Sequence, residues 1–305
     1  MMSENLEPKD KIAVVYHRVD LDGLMSAGIV NKYMVDNNEP TKFFGYNHKD
    51  PLPTDIEKYK TVIFVDIAFE KANMINLAYR THVIVLDHHI TTQNMLVEIC
   101  EEITDKDFEL DYIMDTSIAA CEVVYEYFYP HQPINEIITL LGKYDTFRHV
   151  GTPDEDRVQF FQNLSRIRLK TYEDCTDILN LFEGDYDAEM ELIDKWVGDG
   201  KLIYEAMKVN ADRMYKTSFP VILDGKLFLC NNTVGINPKS YKLPYDENYD
   251  GFITFHYNRD KWLFTLYSDS TDVSVIAKNL GGGGHKGAAG FHVDDIEIFL
   301  KKIKA

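Results

Sequence analysis

Eight residues at four separate places in the chain have the chemistry of metal ligands or phosphoryl-transfer groups: His17, Asp20 and Asp22, then Asp66, then Asp87, His88 and His89, then Asp145. Carboxylates mixed with imidazoles suit Mn²⁺, with Fe²⁺, Co²⁺ and Zn²⁺ as alternatives and Mg²⁺ less favoured because it prefers oxygen. The ligands suffice for two ions that share a bridging carboxylate. Two ions about 3.5–4 Å apart lower the pKa of a bridging water and clamp the oxygens of an in-line displacement at phosphorus. The residue types therefore point to a two-metal phosphoester or phosphoanhydride hydrolase. Each piece alone has a plainer reading. Asp20 and Asp22 could be the acidic N-terminus of a helix, Asp66 a turn residue, and Asp87-His88-His89 a solvated loop. The shared context of the four places is what favours the common reading.

That context is a series of short apolar runs. Ile12–Tyr16, Thr41–Tyr46, Thr61–Val65 and Val83–Leu86 read as buried strands. Strand alternating with helix predicts βαβ units and a mostly parallel sheet, and ligands bind at the carboxyl ends of such strands. His17, Asp20 and Asp22 follow the first run, with Gly23 read as a tight turn into a helix. Asp66 ends the third run, and Asp87, His88 and His89 end the fourth. His48, after the second run, is expected to be a solvated histidine. Arg18 lies beside the cluster without an assigned part. Helices are expected at Thr116–Phe128 and Ile134–Tyr144, the second closed by Asp145.

Residues 150–186 read as polar and mixed. From Asp187 to Lys216 the apolar spacing gives one long helix, or two with a joint at Gly198-Asp199-Gly200. After Pro220 four further strands, a helix over Ser274–Leu280 and a final amphipathic helix over Val293–Lys304 are expected. The chain thus divides into a catalytic domain at 1–150, a helical connector at 151–217 and a smaller α/β domain with a mixed sheet at 218–305.

Gly281-Gly282-Gly283-Gly284-His285 matches neither a dinucleotide fingerprint nor a P-loop. A backbone nest approaching a phosphate or base, with His285 as donor, is the functional reading; a flexible loop is the plainer one. Gly287, Ala288, Ala289 and Gly290 then allow close packing or entry into a helix.

Together these motifs resemble the DHH phosphoesterase superfamily in its DHH–DHHA1 arrangement, similar to the nanoRNase or oligoribonuclease-type phosphodiesterases. His17-x-x-Asp20-x-Asp22-Gly23 resembles the first motif, Asp66 the second, and Asp87-His88-His89 the signature that names the family. Asp145 is the candidate for the fourth. The run from Gly281 to Phe291 resembles the DHHA1 substrate-binding motif. The resemblance implies one ion on His17, Asp20 and Asp66, and another on Asp22, Asp66, His88 and Asp145. It implies that His89 contacts the scissile phosphate and that Asp87 orients a histidine. Gly282, Gly283, Gly284 and His285 would bind the substrate.

At 305 residues the chain has room for two domains. A net charge of −18 argues against a protein that grips long duplex nucleic acid and favours a short oligonucleotide or small nucleotide substrate. Four scattered cysteines (Cys100, Cys121, Cys175, Cys230) point away from a disulfide framework and toward reducing cytoplasm. No apolar run approaches the roughly 18 residues of a membrane span, and the polar, acidic start is not a secretory signal. The expected activity is hydrolysis of short oligonucleotides or small nucleotides to mononucleotides by a metal-activated water. The alternatives are a cyclic-dinucleotide phosphodiesterase, a RecJ-like single-strand exonuclease and a nucleotide-binding protein without turnover. A family II pyrophosphatase is disfavoured by the glycine–histidine run.

Overall fold

The computed structural model describes residues 12–48, 50–181, 185–234, 237–238 and 249–301. Contacts divide the chain into two units, Met1–Ile203 and Tyr204–Ala305.

The first unit runs β1 (Ile12–His17), α1 (Leu21–Asp36), β2 (Thr41–Tyr46), β3 (Thr61–Val65), α2 (Lys71–Ala78), β4 (His82–Asp87), α3 (Ile90–Glu102), β5 (Leu110–Met114), α4 (Ala120–Phe128), α5 (Glu136–Asp145), α6 (Glu155–Arg168), α7 (Tyr172–Leu181) and the first part of α8 (Tyr186–Thr217). The strands form one sheet in the order β2-β1-β3-β4-β5, parallel throughout. Alternation sends neighbouring side chains to opposite faces. Val14, Ile63 and Val65 pack on one side with α1, α4, α5, α6 and α7. Ala13, Val15, Val62 and Phe64 pack on the other with α2 and α3. Both faces are covered, which is why these strands read as continuous apolar runs.

The order reverses at β1: β2 lies on one side of it and β3 on the other. A reversal of this kind opens a crevice at the carboxyl ends of the strands.

The second unit holds the rest of α8, then β6 (Phe219–Leu223), β7 (Lys226–Asn232), β8 (Gly251–Tyr257), β9 (Trp262–Tyr267), α9 (Val273–Asn279), β10 (Gly283–His285), β11 (Ala288–Val293) and α10 (Ile296–Leu300). Its sheet has the order β10-β11-β9-β8-β7-β6. It is mixed: β7 and β8 are parallel and the other pairs antiparallel. Phe228, Phe264, Phe291 and Phe299 fill its core with α9.

Several expectations shift. The segment read as polar, 150–186, contains α6 and α7, whose Val158, Phe161, Cys175 and Ile178 enter the first core. The stretch expected to connect domains at 151–217 therefore belongs largely to the first unit, and the division falls between Ile203 and Tyr204. α8 is one helix without a joint. Gly200 is needed for a different reason: a Cβ there would overlap the Phe160 carbonyl oxygen. β5 was not anticipated. The helix expected from Thr116 begins at Ala120. Val293 ends β11, and the last helix is Ile296–Leu300. The stretch 302–304 of the expected final helix lies outside the described residues. Gly287–Gly290 lead into a strand, not a helix. Among the described residues no helix is long and apolar enough to cross a membrane.

Candidate metal centre

The crevice at the strand ends collects all eight sequence-nominated side chains. His17 is the last residue of β1, and Asp20 is the N-cap of α1. The plain and functional readings of Asp20 hold together, one oxygen each. Oδ1 accepts from the Gly23 N–H at 3.0 Å, while Oδ2 lies 2.7 Å from His17 Nδ1. Gly23 is not a turn but part of α1, where a Cβ would overlap the His17 carbonyl oxygen and come 2.7 Å from its Cβ.

Asp22 is buried in the first turn of α1. Its oxygens accept from the backbone of Ala120 (2.9 Å) and Cys121 (2.7 Å) at the start of α4. Ala119, the N-cap of α4, has no side-chain acceptor to offer, so an acid nearly a hundred residues earlier serves its helix. The Glu122 carboxylate completes the cap by accepting from Ala119 N–H at 3.0 Å and is itself paired with Arg148.

Asp66 follows β3 in a left-handed backbone conformation, φ 60°. This is uncommon for a residue with a side chain, and a functional site is where such strain concentrates. Its N–H donates to the Leu86 carbonyl at 3.1 Å, which ties it to the end of β4. Asp87 is fully buried. Its Oδ1 accepts from the N–H groups of His88 (2.6 Å) and His89 (3.1 Å) and pairs with His89 Nδ1 at 2.7 Å. The second ring nitrogen of His89 is thereby left for another partner. Asp145 is the last residue of α5, where an acid opposes the helix dipole. It stands there 3.4 Å from His88 Nε2.

Two sets of ligand atoms lie within 4.8 Å of one another: His17, Asp20 and Asp66, and Asp22, His88 and Asp145. A third grouping, Asp66, Asp87, His88 and His89, overlaps them. Asp66 reaches both sides, with Oδ2 3.4 Å from His17 Nδ1 and Oδ1 3.6 Å from His88 Nε2. Asp22 Oδ2 is 3.5 Å from His88 Nε2. Donors bonded at 2.0–2.1 Å in an octahedron lie about 3 Å apart along its edges. The separations here suit ligands that surround a cation.

The unpartnered atoms say the same. Both Asp66 oxygens, Asp87 Oδ2 and His88 Nε2 are buried without a hydrogen-bond partner. Each such atom costs roughly 1–3 kcal/mol unless something binds it. Burial, followed by neighbouring carboxylates, pushes Asp66 and Asp22 well above the usual carboxylate range. Burial alone would lower the two imidazoles, but adjacent acids outweigh it. Asp20 and Asp66 hold His17 at about 10, and Asp87 leads in holding His89 at about 9. The cluster is short of positive charge, and its donor set fits a divalent metal.

His48 is exposed, as expected of a solvated histidine, yet it lies near the cluster. Its ring centroid is 6.1 Å from that of His17, and burial, with the charges of His17 and His89, lowers its pKa. Asn47 lies closer still, 3.3 Å from His17 Nε2. Reading the end of β2 as the other strand ends were read would have found both, since β2 is the neighbour of β1.

Gly282, Gly283 and Gly284 lie in the second unit, at and before the β10–β11 hairpin. The backbone of His285 pairs with Ala288, and its side chain lies outside the described residues.

Residues 11–142 match the DHH family, N-terminal domain. An uncharacterized protein of Acanthamoeba polyphaga mimivirus is 26% identical over 318 residues, which cover 95% of this chain and 69% of that protein. Among solved structures, the pGpG-specific phosphodiesterase PggH of Vibrio cholerae superposes with a TM-score of 0.51 at 14% identity, covering 95% of this chain and 96% of PggH. The exonuclease RecJ bound to manganese gives 0.50 at 13% identity, covering 98% and 89%. At these identities the likeness to the two structures is one of fold.

Proposed function

We propose that the chain, whose residues 11–142 match the DHH family N-terminal domain, is a DHH phosphoesterase: a two-metal phosphodiesterase acting on short oligonucleotides or small nucleotides, which it hydrolyses to mononucleotides. His17, Asp20 and Asp66 would hold one divalent ion, and Asp22, His88 and Asp145 the other, with Asp66 within reach of both sets. Bound there, the ions supply an activated water near neutral pH and a clamp on the phosphoryl oxygens, with Mn²⁺ the favoured metal. His89 is held by Asp87 through Nδ1, so its remaining nitrogen is free to meet the phosphate and stabilise charge that develops there. Asp87 fixes the ring through Nδ1, and its carboxylate raises the pKa of the imidazole.

The observation that carries this reading is the convergence of buried ligand atoms from the ends of β1, β3 and β4 on one space, those of Asp66, Asp87 and His88 without hydrogen-bond partners. The net charge of −18 supports a small substrate over a long strand. Glycines 282 to 284 and His285 are the proposed substrate-binding run.

The test is hydrolysis with Mn²⁺ of a dinucleotide, a long single strand, a cyclic dinucleotide, 3′-phosphoadenosine 5′-phosphate and pyrophosphate, side by side. Preference for the dinucleotide or another short nucleotide is expected. Preference for the long strand or for pyrophosphate would overturn the substrate assignment while keeping the metal chemistry. No turnover with metal bound would favour a binding protein.

A further inference from the structure

The loop after β2 has no part in the mechanism above, yet it touches the cluster. Asn47 Oδ1 lies 3.3 Å from His17 Nε2. An amide can face a ring either way round, and here the backbone decides. The N–H of His48 donates to the same Oδ1 at 2.9 Å, so this atom is the acceptor. His17 Nε2 is then the donor in its contact with Asn47. With a hydrogen on Nε2, the nitrogen left to coordinate is Nδ1. Nδ1 is the atom that faces Asp20 and Asp66, at 2.7 and 3.4 Å. Which nitrogen of a histidine takes a metal is set by the hydrogen bond the other one makes.

Asn47 is itself held. Its N–H donates to Asp50 Oδ2 at 2.8 Å, and the Asp50 N–H returns to the Asn47 carbonyl at 3.0 Å. Arg18, next in sequence to His17, closes the circuit. Its Nε and Nη2 donate to Asp50 Oδ2 at 3.2 and 3.1 Å, and its backbone N–H donates to the Tyr46 carbonyl at 3.2 Å. The loop is therefore tied twice to the residue that follows His17. We infer that Asn47, braced by Asp50 and Arg18, is a positioning residue that fixes Nδ1 as the nitrogen with which His17 holds its ion. The inference rests on the assignment of His17, Asp20 and Asp66 to one ion. It gives Arg18 a task in the loop instead of at the substrate.

The experiment is a calorimetric Mn²⁺ titration of the full chain as wild type, Asn47→Ala and Asn47→Asp. Aspartate keeps an acceptor in the same place; alanine removes it. Asn47→Ala is expected to bind one ion as the wild type does and the other roughly 10–100-fold more weakly. Asn47→Asp should restore the weakened ion, and the metal-free melting temperatures should agree. With diamagnetic Zn²⁺ bound to the wild type, ¹⁵N NMR of the ring should show His17 protonated at Nε2. Unchanged binding in Asn47→Ala, equal weakening of both ions, a lowered melting temperature that accounts for the loss, or metal on Nε2 would each overturn the inference alone. A wild-type chain that binds no metal would overturn the two-ion reading and this inference with it.

Discussion

The strand ends of the first unit and the glycine hairpin of the second are two ways of bringing an ionic group close to a polypeptide. At the ends of β1, β3 and β4 the groups are side chains, buried and crowded until their charges need an outside partner: Asp66 is 2% exposed and Asp22 3%. At β10 there are hardly any side chains, and backbone is what can be offered. The glycines of that run are not equivalent. Gly281 and Gly284 have φ of 82° and 139°, and a Cβ on Gly282 would overlap the Gly290 carbonyl oxygen. Gly283 has neither constraint; a Cβ there meets nothing within 4 Å. In the first region structure and proposed chemistry share the same side chains, as Asp20 and Asp22 show by capping helices while facing the cluster. In the second, one glycine stands free of any demand from the fold, so ligand approach can be tested there without disturbing the hairpin.

The sharpest break of that comparison is Asp66→Ala. It removes the carboxylate between the two sets, and hydrolysis should fall to background with both ions lost. The drop should exceed the roughly 10–100-fold typical of losing a partner outside the ligand set. Circular dichroism should show the fold retained, and normal turnover would end the metal assignment. His89→Ala comes next. Its turnover should fall by about 10²–10³ with Mn²⁺ affinity largely kept, if its task is to meet charge at the phosphate. Gly23→Ala follows. The new methyl presses on the His17 carbonyl and Cβ, which should cost about 1–3 kcal/mol of stability in denaturant titration and weaken the ion on His17 first. The smallest and most selective change is Gly283→Ala. Stability should stay within about 0.5 kcal/mol and metal binding should be unaltered. The KM for a dinucleotide should rise if substrate approaches this backbone. An unchanged KM would remove Gly283 from the binding run.

The sequence carried the first region well because the rule it follows is local. An apolar run that stops at an acid or imidazole is visible one strand at a time, and β1, β3 and β4 each stop in that way. Asp145 ends a helix, so no strand marks it; in the sequence it stands out only as the acid that closes the helix expected at Ile134–Tyr144. Leu110–Met114 of β5 is harder to read because Asp111 interrupts a short apolar run and its residues alternate between half-buried and exposed, without the two-sided burial of its neighbours. α6 and α7 were missed because their buried Phe161 and Ile178 are diluted among charged residues facing water. Sequence spacing reads Gly23 and Gly200 as a turn and part of a joint; close approach of another backbone is a three-dimensional fact that it does not report. The same holds for Asn47, whose orientation is set by the His48 N–H, and for Asp22, whose partners lie at Ala120 and Cys121.

The most direct test of the central claim is the number of Mn²⁺ ions bound and their magnetic coupling, read by calorimetry and electron paramagnetic resonance on the wild type and Asp66→Ala. The account predicts two ions per chain, close enough to couple through Asp66, with the coupled signal abolished in Asp66→Ala. A single ion, or two uncoupled ions that survive the loss of Asp66, would contradict it.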